Sequence, residues 1–209
     1  MEMTLTLMFA MAMFSLSMSI SPGPVNMVIV ASGANHGFWR TLPFVSGATI
    51  GFTLLLMFVG FWLLQFIASY PVFFQYLGIA GSAFIIYVGY KIAASHPELV
   101  LEEADTPNFM QGFMLQWLNP KAWIACASGA ALFSSPHTHT VLATFTLIYF
   151  VICYLSLAVW AVLGDRVSIL LTSTLRIRIF NWLMGGMLIA TAFYMLYLQF
   201  FGATPAPVN

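Results

Sequence analysis

Six long apolar runs alternate with polar or proline-containing turns along the chain. A bilayer crossing by an α-helix needs about 20 predominantly apolar residues, and each run is long enough for one crossing. Most turns are short, except for the acidic stretch from 96 to 108 and the stretch from 165 to 178. The pattern predicts transmembrane helices near 5–33, 42–67, 72–94, 109–133, 141–164 and 180–201.

Composition agrees with a chain that lies in lipid. Hydrophobic residues make up 61% of the sequence and charged residues 6%, whereas soluble domains are roughly 25% charged. Six basic residues balance six acidic ones, so no basic surface for nucleic acid is expected and the bilayer is the expected surrounding. We therefore expect an all-α polytopic membrane protein, with one domain over 1–209 whose halves, about 1–95 and 107–202, are joined by a loop at 96–108.

The basic residues near the helix ends fall on one side of this topology. The turns after the first, third and fifth helices lie on the same side and hold five basic residues, while the opposite turns hold none. The positive-inside rule places these three turns in the cytoplasm and both termini outside, in a bacterial inner membrane. A start without Lys or Arg does not fit a signal peptide, so the first run should be retained as a helix. The five residues are Arg40, Lys91, Arg166, Arg176 and Arg178.

The two halves carry a weak internal repeat. Each has three helices, an odd number, so the halves would be inverted relative to each other, and a proline interrupts the opening helix of both. Inverted repeats with interrupted helices in corresponding places are typical of transporter binding sites. We predict a 3+3 inverted repeat with broken helices 1 and 4. A shift of 107 residues pairs Gly78 with Gly185, Ala83 with Ala190, Tyr87 with Tyr194 and Tyr90 with Tyr197.

The first predicted break lies at residues 21–26, with the sequence SPGPVN. Neither proline has an amide hydrogen, so Pro22 leaves the carbonyl of Met18 without its helical partner and Pro24 leaves that of Ile20. Carbonyls freed at membrane depth must face protein, water or a cation. The amides after Pro24 present the positive end of a helix to a carboxylate. Acceptors beside donors suit a zwitterion.

A second break is predicted in the fourth helix at Asn119-Pro120-Lys121, where Pro120 leaves the carbonyl of Gln116 without its helical partner. Lys121 lies near the middle of this helix, too deep for its side chain to reach the interface. A charge at that depth costs about 2.5–3.5 kcal/mol on insertion scales, so it must find a partner or a cavity, or give up its proton. The candidate substrate-binding residues are Pro22, Gly23, Pro24, Asn26, Asn119, Pro120 and Lys121.

Other polar and small residues have simpler interpretations. The side chains of Asn26, Asn119, Gln111 and Gln116 could hydrogen-bond neighbouring helices. Cysteine within apolar runs behaves as a small hydrophobe, and two histidines in a short outer turn without an acidic or cysteine companion indicate a solvated turn rather than a metal site. Asp165 closes the fifth predicted helix beside Arg166, and this position favours an ion pair between the two at the membrane interface. The glycines expected to serve helix packing or dimerisation are Gly47, Gly51, Gly78, Gly81, Gly185 and Gly186; the cysteines are Cys126 and Cys153, and the histidines His137 and His139.

Several of these elements occur together in one known family. They are residues 21–24 with Asn26; His36-Gly37 and Arg40 followed by Gly47 and Gly51; Asn119-Pro120-Lys121; and Trp160 with Gly164. In these elements, which cover nearly the whole chain, the sequence resembles the LysE/RhtB amino-acid exporters. It departs from the family pattern after the fourth helix, where Phe133 is followed by Ser-Ser-Pro-His rather than Pro-Gln. The departure concerns local substrate or gating detail.

The resemblance implies a secondary exporter rather than an enzyme, without a cofactor or bound metal. Its substrate would be an amino acid or derivative, such as threonine, homoserine, homoserine lactone, a cysteine precursor, leucine or a basic amino acid, exported by antiport against protons. The predicted span interiors contain no Asp or Glu, so the candidate proton carriers are Lys121 and Asp165. A homodimer is suggested by small-residue motifs and by the resemblance.

Two alternative functions stay open at this point. A divalent-cation exporter would need oxygen, His or Cys ligands inside the helices, which the sequence does not place there, and Lys121 would repel a cation. An intramembrane enzyme would need a nucleophile or metal with a base in reach. The leading hypothesis is therefore an alternating-access amino-acid exporter with its site at the two breaks.

Overall fold

The computed structural model describes residues 4–63, 71–94, 106–133, 139–171 and 173–201. Within these ranges the chain is helical, without strands, and a helix or a pair of helices occupies each of the six predicted runs. The helices are α1 (Leu5–Ile20), α2 (Pro24–His36), α3 (Phe38–Phe58, continued by a π-helical turn at Val59–Leu63), α4 (Pro71–Ala94), α5 (Phe109–Trp117), α6 (Pro120–Phe133), α7 (Thr140–Ser168) and α8 (Thr174–Phe201).

Three helices in the described part of the chain are individually long and apolar enough to cross a bilayer. They lie within α3, α7 and α8, with mean hydropathies of 2.0, 2.3 and 1.2. Helices α1 and α2 meet the same condition together, as one segment bent by 61°. A shorter apolar helix occupies Ile79–Ala94. The protein is therefore a multi-pass membrane protein.

Several helix ends differ from the sequence-based boundaries. Helix α3 begins at Phe38 rather than at 42, and α8 begins at Thr174 rather than at 180. Between the spans predicted at 5–33 and 42–67, only Gly37 separates α2 from α3, and its φ of 85° favours glycine. A single residue with this backbone conformation reverses the chain, so little polar sequence marks the turn. Residues 64–70, 95–105 and 134–138, which include most of three predicted turns and His137, lie outside the described residues.

Helices α3 and α5 approach each other through glycines. A Cβ atom on Gly47 would collide with the carbonyl oxygen of Phe109, and one on Gly112 would collide with that of Phe44. A Cβ atom on Gly51 would lie 2.9 Å from the carbonyl oxygen of Phe113. Two backbones can come this close only where side chains are missing. The prediction that Gly47 and Gly51 form a packing surface is confirmed.

Helices α4 and α8 form a second close pair. A Cβ atom on Gly185 would collide with the carbonyl oxygen of Gly89, and one on Gly81 with that of Leu118 at the end of α5. The packing prediction therefore holds for Gly81 and Gly185. Gly186 packs against no described residue of this chain, since no atom lies within 4 Å of an added Cβ; its assignment to packing or dimerisation stays a prediction. The surroundings of Gly78 lie outside what the structure describes.

Helix α7 forms the centre of the bundle, because α1, α2 and α3 all pack against it. Its buried side chains recur at helical spacing and include Phe145, Tyr149, Cys153 and Leu157. Helix α6 also contacts α1, α3 and α7. The break between α1 and α2 and the break between α5 and α6 are thereby brought together, beside the middle of α7.

Candidate functional site

The first break consists of the three non-helical residues 21–23, which lie between α1 and α2. Ser21 has φ −64° and ψ 134°, and Gly23 is fully extended with φ −172° and ψ 178°. The amide of Ser21 still donates to the carbonyl oxygen of Ser17 at 3.3 Å, which closes α1, and Pro24 opens α2. Proline at the first helical position fits because the amide there has no helical partner.

The carbonyl of Met18, expected to be free for a ligand, is occupied within the protein. It accepts a hydrogen bond from the Ser21 hydroxyl at 3.0 Å. The expectation is wrong because a serine just after the helix end can donate back to a carbonyl three residues earlier. The next carbonyl, that of Ser19, accepts from Asn26 Nδ2 at 3.0 Å. The Asn26 amide thus links the two sides of the break.

The second break, at Leu118 and Asn119, satisfies its own backbone more completely. The carbonyl of Gln116, also expected to be free, accepts from the amide of Asn119 at 3.2 Å. The side chain of Asn119 then caps α6, because its Oδ1 accepts from the amide of Lys121 at 3.1 Å. Capping is the ordinary role of asparagine at this position. The expectation of a free Gln116 carbonyl is corrected, and Oδ1 of Asn119 is used within its own helix rather than by a neighbouring one.

Lys121 connects the two breaks. Its Nζ donates to the carbonyl oxygen of Ser21 at 2.8 Å, to the hydroxyl of Ser21 at 2.7 Å and to the carbonyl oxygen of Pro22 at 3.2 Å. The stem of the side chain passes Gly23, where a Cβ atom would lie 3.2 Å from Nζ and 3.3 Å from Cδ. The lysine ammonium therefore occupies the carbonyls of Ser21 and Pro22 at the first break.

The three acceptors around the ammonium are neutral, so its positive charge is solvated without being balanced. The only carboxylate in any described helix is that of Asp165, near the end of α7. The start of α2 adds partial positive charge, because no side chain caps it and the Asn26 side chain is bonded elsewhere. The site is thus electropositive and complementary to an anionic group.

A small cavity lies between the breaks and α7. Its volume is about 40 Å³, whereas a single water needs roughly 10–15 Å³ by a comparable measure. Of the predicted residues, Gly23, Asn26, Asn119 and Lys121 line it, and Lys121 is the only charged side chain among its lining residues. The three prolines, Pro22, Pro24 and Pro120, shape the breaks. Other residues that line the cavity are Ser19, Phe52, Ala125, Tyr149, Cys153 and Leu157.

Asp165 lies apart from this cavity. Its Oδ1 accepts from the amide of Phe38 at 3.3 Å, which caps α3, and it lines a separate cleft of about 430 Å³ together with Arg40 and Arg166. The expected ion pair with Arg166 is not found among the described residues. Arg40 and Arg166 nevertheless border the same cleft, as expected if the ends of the first and fifth predicted spans lie on one side.

Sequence reasoning missed the far wall of the cavity. Tyr149 and Cys153 are one helical turn apart on α7, and Phe52 of α3 stacks on Tyr149 with ring centroids 4.3 Å apart. The spacing of buried α7 residues was the available signal, but an apolar run in a membrane protein gives no indication of which face is inside. Within the described residues, no group of three or more His, Cys, Asp or Glu side chains could hold a metal ion.

Comparison with known proteins identifies the family. The model of the LysE type translocators matches residues 16–199. A cysteine/O-acetylserine efflux protein of Klebsiella pneumoniae is 26% identical over 192 residues, which cover 91% of this chain and 97% of the relative. A protein of the same description from Escherichia coli is 26% identical over 139 residues, covering 66% and 71%. No solved structure matches the chain. The protein therefore belongs to the LysE type translocator family, and it is a transporter rather than an enzyme.

Proposed function

We propose that this protein exports small amino acids or their derivatives across the bacterial inner membrane, with the substrate bound between the two helix breaks. The observation that carries the proposal is the Lys121 ammonium, which lies in a cavity whose lining residues include no carboxylate. An α-carboxylate would supply the missing negative charge. The relatives, which are named as cysteine/O-acetylserine efflux proteins, support the same class of substrate.

Each end of an amino acid has a partner at the first break. The substrate carboxylate would accept hydrogen bonds from Lys121 Nζ and from the uncapped amides at the start of α2. The Lys121 ammonium donates to the carbonyls of Ser21 and Pro22. When substrate binds, the substrate ammonium would take its place on these two carbonyls. The exchange conserves the number of cations on those carbonyls, so binding does not leave them unsatisfied in the membrane.

We propose alternating access as the means of transport, in a six-span fold of two inverted halves with both termini outside. The correspondence of the two Pro-broken helices, one in each half, supports this arrangement. The cavity of about 40 Å³ must widen to admit an amino acid. Relative motion of α1–α2 against α5–α6 would widen it, because Lys121 is the polar link between the two breaks.

We propose proton antiport, with Lys121 rather than Asp165 as the carrier. Lys121 is the charged residue of the central cavity, and it changes partners whenever substrate enters or leaves. Asp165 caps α3 at a separate cleft and contacts none of the cavity residues through a hydrogen bond described here. A carrier that shares the substrate site couples the two events directly.

The test is efflux of a panel of amino acids from cells loaded with the corresponding dipeptides. Native protein, Lys121→Ala and an empty vector are compared at equal membrane abundance, and Lys91→Ala is the matched control, since Lys91 is the other lysine of the chain and is exposed at the end of α4. We expect native and Lys91→Ala proteins to accelerate efflux of one chemical class, and Lys121→Ala to abolish it. Native protein that is inserted correctly yet accelerates no amino acid would refute the function.

A further inference from the structure

The wall of the cavity formed by α1 and α7 carries three polar or polarisable side chains, one of which has no hydrogen-bond partner within the described part of the chain. The hydroxyl of Ser19 has no hydrogen-bond partner among the described residues although the atom is wholly buried. It lies beside the phenol of Tyr149 and the thiol of Cys153, without the geometry of a hydrogen bond to either. A polar group withdrawn from both water and lipid is normally paired. A ligand atom is one means of pairing it.

A neighbouring serine on α1 differs from Ser19 in having a partner within the helix. Ser15, one turn earlier on α1, is fully buried and donates to the carbonyl oxygen of Met11 at 2.7 Å. That back-bond is the usual way in which a serine inside a membrane helix is satisfied. The carbonyl of Ser19 itself accepts from the Asn26 side chain, which belongs to the first break. The backbone of Ser19 is thus bonded to the first break, and its side chain lines the cavity.

The shape and charge of this wall limit what could lie against it. Ala125 keeps one side small, and the stacked rings of Phe52 and Tyr149 form another. No lining residue other than Lys121 carries a charge. A charged substrate side chain would have no counterion here, and a purely apolar one would leave the Ser19 hydroxyl unpaired.

We propose that Ser19, Tyr149 and Cys153 form the side-chain subsite of the transport site, selecting uncharged amino acids whose short side chain bears an oxygen or sulfur atom. The inference rests on the proposed function and goes further, because it assigns selectivity to three residues that contact neither the substrate carboxylate nor its ammonium. Ser19 and Tyr149 supply hydroxyl groups, and Cys153 supplies a compact polarisable neighbour.

The test measures selectivity in everted membrane vesicles. Transport of serine is compared with that of 2-aminobutyrate, which has the same size but a methyl group in place of the hydroxyl. We expect Ser19→Ala and Tyr149→Phe each to lower the ratio of kcat/KM for serine to that for 2-aminobutyrate by about three- to tenfold, the effect of one neutral hydrogen bond. Transport of 2-aminobutyrate, which cannot bond the hydroxyl of either residue, is the reference for the ratio. Ser19→Thr, which retains the hydroxyl, should preserve the ratio.

Ser15→Ala is the matched control, because it removes an equally buried hydroxyl from the same helix outside the cavity. An unchanged ratio in Ser19→Ala and Tyr149→Phe, with native protein transporting serine, would overturn the subsite and leave the proposed function standing. Native protein that transports no amino acid would overturn both. If Ser19→Ala does not reach the membrane, Tyr149→Phe and Ser19→Thr decide the result.

Discussion

The ammonium nitrogen of Lys121 lies 2.8 Å from the carbonyl oxygen of Ser21. The two residues are a hundred positions apart in the chain, and each lies where one helix ends and the next begins. The contact therefore satisfies a cation and a broken backbone at once, neither of which lipid could satisfy. Any movement that separates the breaks must supply new partners to both groups.

Gly23→Ala should disrupt this contact without straining the backbone. The φ of Gly23 is −172°, a conformation that alanine adopts readily, but the new methyl group would lie 3.2 Å from Lys121 Nζ. We expect the lysine side chain to shift by a few tenths of an ångström and the transport rate, measured by efflux at equal abundance, to fall by about two- to tenfold, the cost of weakening one hydrogen bond. Gly186→Ala, which meets no neighbour, should transport normally. Equal activity of the two variants would contradict the role of Gly23.

Gly112→Ala should lower stability rather than alter the site. Its methyl group would be driven into the carbonyl oxygen of Phe44, and backbone cannot rotate away as a side chain can. Overpacking of this kind typically costs about 1–3 kcal/mol. We expect the Tm of the detergent-purified protein to fall by several degrees, followed by thermal unfolding. Gly186→Ala should leave Tm unchanged or raise it slightly, because alanine favours a helix more than glycine does. An equal fall in both variants would contradict the contact with Phe44 as the cause.

Asp165→Asn should be tolerated if the carboxylate acts as a cap. Asparagine caps helices about as well as aspartate, whereas loss of the cap in Asp165→Ala costs about 0.5–2 kcal/mol. We expect full proton-driven transport by Asp165→Asn and a reduced Tm for Asp165→Ala, measured in proteoliposomes and by thermal unfolding. Loss of proton-driven transport in Asp165→Asn, with substrate exchange intact, would instead identify Asp165 as the carrier.

Lys121→Arg should separate binding from coupling. Arginine keeps its proton under all conditions that proteins experience, so it can hold a carboxylate but cannot carry a proton through a cycle. We expect exchange of external for internal substrate to persist, at a reduced rate, and accumulation driven by a pH gradient to be lost. Accumulation by Lys121→Arg would contradict the assignment of Lys121 as the proton carrier.

Substrate should protect Cys153 from alkylation. Cys153 lines the cavity, whereas Cys126, the other cysteine, is buried and is not among the lining residues. In a Cys126→Ala background, we expect a transported amino acid to slow the reaction of Cys153 with a small maleimide several-fold, because the substrate occupies the space the reagent needs. The Cys153→Ala protein, whose thiol is Cys126, is the control and should show no protection. Equal protection of both thiols would indicate a general conformational effect.

Much of this arrangement could be predicted from the sequence. Prolines and charges act through local chemistry, so the break after Ile20 and the need of Lys121 for a polar partner follow from residue types alone. The partners could not be predicted. Whether Met18 or Ser21 offers its carbonyl depends on the Ser21 hydroxyl, which bonds the former and leaves the latter open. The role of Asn119 was similarly decided by its position directly before Pro120.

The far wall of the cavity was beyond sequence reasoning for a different reason. In a soluble helix, polarity separates the buried face from the exposed one, but a membrane helix is apolar on both. Tyr149 and Leu155 both belong to the apolar run of α7, yet the first is 2% exposed and the second 60%. Only the packing of α7 against its neighbours determines which side chains face the cavity.

The contact between Gly89 and Gly185 has a consequence for the order in which the protein is completed during synthesis. The two glycines are nearly a hundred residues apart in the chain, so translation at about 5–20 residues per second makes α8 several seconds or more after α4. Helices in membranes insert first and pair afterwards. Helix α4 must therefore reside in lipid with its glycine face uncovered until the last helix arrives, and a chain that ends before α8 would leave that face to other proteins.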